Sequence, residues 1–177
     1  MRELVADGAP SKNVYGMDIE GKFFDLGYDL FRDRNTLRST FLAGDILDPR
    51  VDWTAIDGKM DILNLSSFLH LFNWENQVRA TRRLIQFLRP QPGSLIVRRH
   101  LGSLTAKEHP TLANDGSTNF RQNVESYERM WKQLGDETGT AWRVEASLDM
   151  VDITASVRSQ KWSESEMRRL LFTVTRE

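Results

Sequence analysis

The amino-acid sequence predicts an α/β fold, and three observations carry that prediction. The first is the stretch from Met60 to Arg99. Met60 to Leu65 is a continuous apolar run, too short for a helix, which reads as a strand buried on both faces of a parallel sheet. A polar-to-apolar hinge follows (Ser66, Ser67, Phe68, Leu69, His70), and Asn73 stands where a helix N-cap belongs. Trp74, Val78, Ile85 and Leu88 recur at near-helical spacing, with Arg79, Arg82 and Arg83 for the wet face. Pro90, Pro92 and Gly93 stop the helix, and Leu95-Ile96-Val97 begins a second buried strand. Strand, helix and strand in that compass make a right-handed βαβ crossover. The second observation is a pair of short apolar strands upstream, each ending on an aspartate. The third is a pair of alternating strands near the C-terminus.

The chain is read in order as follows. Arg2 to Ala6 forms one helical turn closed by Gly8 and Pro10. Asn13 to Met17 is a strand that closes on Asp18. Gly21 to Phe31 carries Phe24, Gly27, Leu30 and Phe31 on one helical face. Ser39 to Ala43 is the next strand and leads to Asp45, Ile46 and Leu47. After the βαβ unit, Leu101 to Phe120 is rich in Gly, Ser, Thr and Asn and reads as a long loop, of the kind that is a binding loop, a lid or disordered. Arg98 and Arg99, ending the strand, read as solvated charges. Tyr127, Met130, Trp131 and Leu134 give a helical stripe ended by Gly135. Trp142, Val144, Ala146 and Leu148 alternate with polar residues, as do Leu170, Phe172 and Val174, so these segments are expected to pair antiparallel at one end of the sheet.

Composition narrows the function. A length of 177 residues, with 40% apolar and 28% charged content, suits one globular domain spanning 1–177. The net charge of −1 offers no bulk attraction for nucleic acid or an anionic membrane. The absence of cysteine removes disulfides, thiolate zinc sites and thiol catalysis. No apolar run reaches the roughly 20 residues of a membrane span, and MRELVADGAP has no signal-peptide core. A cytoplasmic location is the expectation.

The candidate chemistry lies at the strand ends. Asp18 and Asp45 each follow a short strand at its expected carboxyl end, where open α/β sheets bind ligands. One carboxylate there can take two ribose hydroxyls and the other can face an adenine amino group. The competing reading makes both of them loop acids that cap the following segment. No G-x-G-x-x-G or P-loop is present. His70, His100 and His109 lack metal-binding spacing, so no metal is expected. His70 is the one candidate base, against a structural role bonded to backbone. Ser66-Ser67 lacks a nucleophile elbow.

NVYGMDIEGKFFDLGYDLFRDR, FLAGDILD, MDILNLSSFLHLFNWENQVRATRRLI, LRPQPGSLIV and ESYERMWKQLGDETGTAWRVEASL together resemble class I S-adenosylmethionine-dependent methyltransferases. The likeness is to the fungal type of meroterpenoid and other secondary-metabolite gene clusters. It implies a Rossmann-like, seven-stranded sheet with helices on both faces and an antiparallel C-terminal hairpin. It implies S-adenosyl-L-methionine as cofactor, with Asp18 on the ribose, Asp45 and Ile46 around the adenine, and Ile19 and Ser66 completing the cofactor-binding set. Some such enzymes methylate a carboxylate on a meroterpenoid intermediate, and the likeness extends to dimer-forming enzymes. The family has a first strand and a glycine-rich loop ahead of the segment resembled by RELVADGAPSKNVYG, so the resemblance implies an N-terminally truncated chain lacking both. Arg98 stands where relatives tend to have a small residue.

The expected function is methyl transfer to a small molecule. Displacement at a sulfonium methyl by an acceptor that is already a carboxylate needs alignment rather than a base, whereas a phenol or alcohol would call on His70. The alternatives are a catalytically inactive remnant acting only as a binding or dimer partner, and an unrelated nucleotide-binding α/β protein.

Overall fold

A computed structural model describes residues 1–111, 115–149 and 165–177. The chain forms two compact units, Met1–Asp52 and Trp53–Glu177.

In the first unit, α1 (Arg2–Ala6) and a 3-10 turn (Ser11–Asn13) precede β1 (Tyr15–Asp18), α2 (Lys22–Phe31) and β2 (Thr40–Ala43). β1 and β2 pair in parallel, Tyr15 opposite Thr40 and Asp18 opposite Ala43. The glycine at position 16 permits a close approach, since a Cβ there would lie 2.6 Å from Met1 Sδ and 3.0 Å from the Phe41 ring. α2 packs through Phe24 and Tyr28, whose ring centroids lie 4.9 and 5.4 Å from that of Phe41. The packed face therefore differs from the expected one: Leu30 and Phe31 are 72% and 57% exposed. The i, i+4 pair Phe24/Tyr28 meets the sheet, and the expected positions i+6 and i+7 turn away. Arg2 donates to both carboxylate oxygens of Asp33, at 2.6 and 3.0 Å, and this holds the Asp33 carboxyl below the usual range. The same guanidinium lies over the Phe31 ring.

The second unit contains β3 (Ile62–Asn64), α3 (Trp74–Phe87), β4 (Leu95–Ser103), β5 (Lys107–Pro110), β6 (Thr118–Arg121), α4 (Val124–Thr138), β7 (Trp142–Asp149) and β8 (Met167–Arg176). The sheet order is β3-β4-β8-β7: β3 runs parallel to β4, and β8 runs antiparallel to both β4 and β7. The βαβ unit and the C-terminal antiparallel pair thus follow the expectation. Asn73 caps α3 by accepting from the Asn76 amide, and a capping box of Asn123 with Ser126 starts α4. Tyr127 and Trp131 carry α4 onto the sheet, 4.9 Å from Phe172 and 5.0 Å from Trp142 between ring centroids. Ile96, Leu170 and Val174 are buried beneath the helices.

Three expectations are corrected in this unit. The stretch from Leu101 to Phe120 is not one loop: β4 continues to Ser103, and β5 and β6 form an antiparallel hairpin. Arg98 and Arg99 consequently stand mid-strand. Gly135 does not end α4. The helix runs on to Thr138, and Gly139 closes it in the left-handed conformation at φ 65°. The glycine at 135 serves contact instead, because a Cβ there would lie 2.7 Å from the Thr140 carbonyl oxygen. β3 is not buried on both faces. Ile62 is 60% exposed and Leu63, on the opposite face, is half-buried.

Candidate cofactor and acceptor site

Asp18 and Asp45 stand at the same end of the parallel β1-β2 pair, because the register sets Asp18 opposite Ala43 two residues before Asp45. The Gly44 amide donates to the Asp18 carbonyl at 3.0 Å and joins the two strand ends. Each aspartate makes the same local turn. Asp18 Oδ1 accepts from the Glu20 amide and Asp45 Oδ1 accepts from the Leu47 amide, both at 2.9 Å. The capping reading is thus satisfied by one oxygen of each carboxylate. Those two bonds engage Oδ1 of each carboxylate. Ile19, beside Asp18, is 71% exposed, and Ile46, beside Asp45, is half-buried. Each acid thus has an apolar neighbour, exposed beside Asp18 and half-buried beside Asp45.

Ser66 and His70 belong to the second unit, in the hinge after β3. The parallel ladder extends into this hinge: the Leu65 amide donates to the Val97 carbonyl at 3.0 Å and the Ser67 amide to that of Arg99 at 2.9 Å. Ser67 takes a left-handed conformation, φ 54°, which turns the chain sharply off the strand. Ser66 Oγ donates to Asn64 Oδ1 at 2.9 Å. Leu69 is fully buried and anchors a single 3-10 turn, Leu69–Leu71, that carries His70 inward.

His70 accepts a hydrogen bond at Nδ1 from the Leu101 amide, 3.4 Å away. In the neutral ring the proton then resides on Nε2, which makes that nitrogen a donor rather than a base. Burial, with help from the nearby Arg121 charge, lowers the His70 pKa to about 4. His100 lies 6.3 Å away between ring centroids, is 1% exposed and has neither ring nitrogen bonded to a group of the described residues. Burial, and secondarily His70, lowers its pKa to about 3. Both rings are neutral at pH 7. This geometry favours the structural role for His70 over that of a proton acceptor.

A buried polar relay, silent in the sequence, fixes the β5-β6 hairpin beside this hinge. Gln77 Nε2 donates to the carbonyls of Phe72 and Phe120, at 3.0 and 2.6 Å. Its Oε1 accepts from Gln122 Nε2 at 2.8 Å, and Gln122 Oε1 accepts from Ser126 Oγ at 2.8 Å. All three side chains are at most 1% exposed. The β4-β8-β7 sheet carries an open groove of about 700 Å³, lined by Arg98, Arg99, Glu145, Ser147, Leu171 and Thr173 among others. Arg98 reaches it only by an unusual backbone, φ 131°. Simple alternation would direct this side chain to the buried side of Ile96 and His100.

No protein-family model matches the chain. In sequence it is 43% identical over 177 residues to the O-methyltransferase atr3 of Stereocaulon alpinum, a match covering 99% of this chain and 50% of that protein. It is 38% identical over 149 residues to the asnovolin E/chermesin D methyltransferase nvfJ of Aspergillus novofumigatus, covering 82% of this chain and 52% of that one. The chain therefore spans about half the length of the curated relatives it matches. Among solved structures, the fold resembles the 4+2 cyclase SpnF (TM-score 0.64, 12% identity, 98% of this chain and 70% of that one). It also resembles phosphoethanolamine N-methyltransferase 2 of Haemonchus contortus in complex with S-adenosyl-L-methionine (TM-score 0.59, 14% identity, 92% of this chain and 43% of that one). At such identities the structural likeness carries the fold and not the reaction, as the cyclase illustrates. Sequence and fold agree, and the chain is a relative of the fungal O-methyltransferases with the class I S-adenosylmethionine-dependent methyltransferase fold.

Proposed function

We propose that the two units work as one cytoplasmic methyltransferase domain that moves the methyl group of S-adenosyl-L-methionine to a small-molecule acceptor of fungal secondary metabolism. The acceptor atom in this proposal is a carboxylate of a meroterpenoid intermediate, and the working form is a homodimer. The observation that carries the reading is the similarity to the O-methyltransferase of Stereocaulon alpinum along 99% of the chain. The strand-end acids support it.

In this reading Asp18 takes the ribose hydroxyls and Asp45 the adenine amino group, each through the carboxylate oxygen that the local turn leaves over. Ile19 and Ile46 flank the nucleoside. When bound, the cofactor supplies a methyl group on a positively charged sulfur. The chain's own task is to bind and align, which suits an acceptor that arrives already ionised. The engaged Nδ1 of His70 fits that assignment, since a phenol or alcohol would need a base.

Titration calorimetry tests the reading. S-adenosyl-L-methionine should bind and NAD should not. Asp18→Ala should weaken binding roughly ten- to a hundredfold, as expected for losing about 1.5–3 kcal/mol of hydrogen bonding to a charged acceptor. Asp45→Ala should weaken it less, because an adenine amino group is a neutral donor. Unchanged affinity in both variants would remove the nucleoside from this end of β1-β2. The second reading is a non-catalytic binding or dimer partner. Binding without transfer of radiolabelled methyl to a meroterpenoid carboxylic acid would select it.

A further inference from the structure

α2 is apolar on two faces. Phe24 and Tyr28 use the inner one against Phe41. The outer one carries Phe23, Leu26 and Leu30, which are 59%, 62% and 72% exposed. Their i, i+3, i+7 spacing forms a seam of the kind that packs against another helix. Solvated helices do not keep three large apolar side chains in register on the wet face without a partner for them.

The charges beside this seam identify the partner. Lys22 and Asp29 are seven residues apart, two turns along one flank of α2, and both are exposed; Asp29 also lies 3.7 Å from Arg34 in a solvent-exposed pair, which leaves its carboxylate open to a second cation. A twofold axis perpendicular to α2 at its midpoint sets a second copy antiparallel to it. That operation brings a flank against the same flank of the copy. Phe23 then stands level with Leu30 of the copy, and Leu26 meets its own equivalent next to the axis. Lys22 faces Asp29 of the copy with an axial offset of about 3 Å, within reach of a lysine stem. The pairing occurs twice by symmetry. A parallel arrangement would instead carry this flank to the opposite side of the seam and make no Lys22–Asp29 pair.

We propose that the outer face of α2 is a self-association surface, and that two copies of this chain pair through it antiparallel, with Phe23, Leu26 and Leu30 as the seam and Lys22–Asp29 setting the direction. The proposal rests on the homodimer named above and assigns its surface. α2 is 10 residues long. The contact is therefore at the small end of interfaces, and a dissociation constant on the order of 10–100 µM is expected.

Sedimentation equilibrium on the 177-residue chain, up to several hundred micromolar, reads the dimer directly. Leu26→Glu should weaken it at least tenfold, since the change is counted twice at the centre of the seam. Leu26 is exposed, so circular dichroism should be unchanged. Lys22→Asp and Asp29→Lys should each weaken the dimer, and the double variant should restore it. These surface changes decide the matter even if Leu26→Glu folds poorly. The chain has no cysteine, so Leu26→Cys introduces its only thiol. Oxidation should give a covalent dimer from this variant and far less from Leu104→Cys, an exposed control position in the second unit. A dimer unaffected by the three α2 changes would overturn the assigned surface and leave the homodimer standing, with strand-edge pairing through β1 or β3 as its explanation. A monomer at all concentrations would overturn both.

Discussion

Replacing Gln77 by leucine should destabilise the second unit by about 2–4 kcal/mol, and the structure says why. The side chain is fully buried and makes hydrogen bonds to Phe72, Phe120 and Gln122. Leucine fills the space but neither donates nor accepts. The Phe72 carbonyl keeps the Phe120 amide as a donor, at 2.8 Å, so its loss is partial. The Gln122 amide keeps only a 3.4 Å contact with Met130 Sδ and becomes in effect a buried orphan. One full orphan at about 1–3 kcal/mol, with two weakened carbonyls and a small apolar gain, gives the stated range. Urea unfolding followed by tryptophan fluorescence is the assay. All five tryptophans occur at position 53 or later, so the signal reports the second unit alone. With a slope near 2 kcal/mol/M, the midpoint should fall by about 1–2 M at unchanged slope. Adding Gln122→Leu should cost much less than its single-variant value, because the orphan is removed with its partner. A loss below about 0.5 kcal/mol, or strict additivity of the two changes, would refute the relay as a stabilising unit.

Acid should act through the same region. His70 and His100 have folded pKa values lowered to about 4 and about 3 from 6.5, so the unfolded chain binds more protons below pH 6.5. Their contribution to stability is fully present above that pH and is lost as pH falls toward 4, with a slope of up to about 1.4 kcal/mol per pH unit for each ring. Urea midpoints at pH 7, 6, 5 and 4 measure this, and His100→Phe should flatten the slope; an identical slope would sink the assignment. Gly102→Ala should lower the melting temperature, because its Cβ would lie 2.6 Å from the Gln122 carbonyl oxygen, a clash that typically costs about 1–3 kcal/mol. Calorimetric melts showing no change would mean that the β4–β6 contact is looser than drawn.

The elements that the sequence revealed are those whose pattern is local. The βαβ unit shows in an apolar run, the cap at Asn73 and the Pro-Gly stop, and each is visible within a few residues. α4 shows through Tyr127, Met130, Trp131 and Leu134, all buried. What escaped is set by partners distant in sequence. Lys107–Pro110 is a polar, four-residue strand ending on proline, and only its pairing with Thr118–Arg121 makes it a strand. The inner face of α2 was misjudged because the helix is apolar on both sides, and periodicity cannot say which side Phe41 occupies. Of the candidate site, Asp18 and Asp45 were legible as acids at strand ends. Gln77 and Gln122, 45 residues apart, carry no signature that would join them.

The backbone at Arg98 has a mechanical consequence. A non-glycine residue at φ 131° costs on the order of 1–3 kcal/mol, and it does so in the middle of the nine-residue β4. The strand carries a different load on each side of that residue. Leu95–Val97 is clamped to β3, while Gly102 and Ser103 are tied to Gln122 and, through it, to the β5-β6 hairpin. Arg99 to Leu101 lie between them, with His70 resting on Leu101. On its other edge β4 is paired with β8 without a break from Leu95 to Ser103, Arg98 opposite Phe172 included. The second strand thus acts as a splint across the strained residue, holding the hairpin end and the βαβ end of β4 in one ladder.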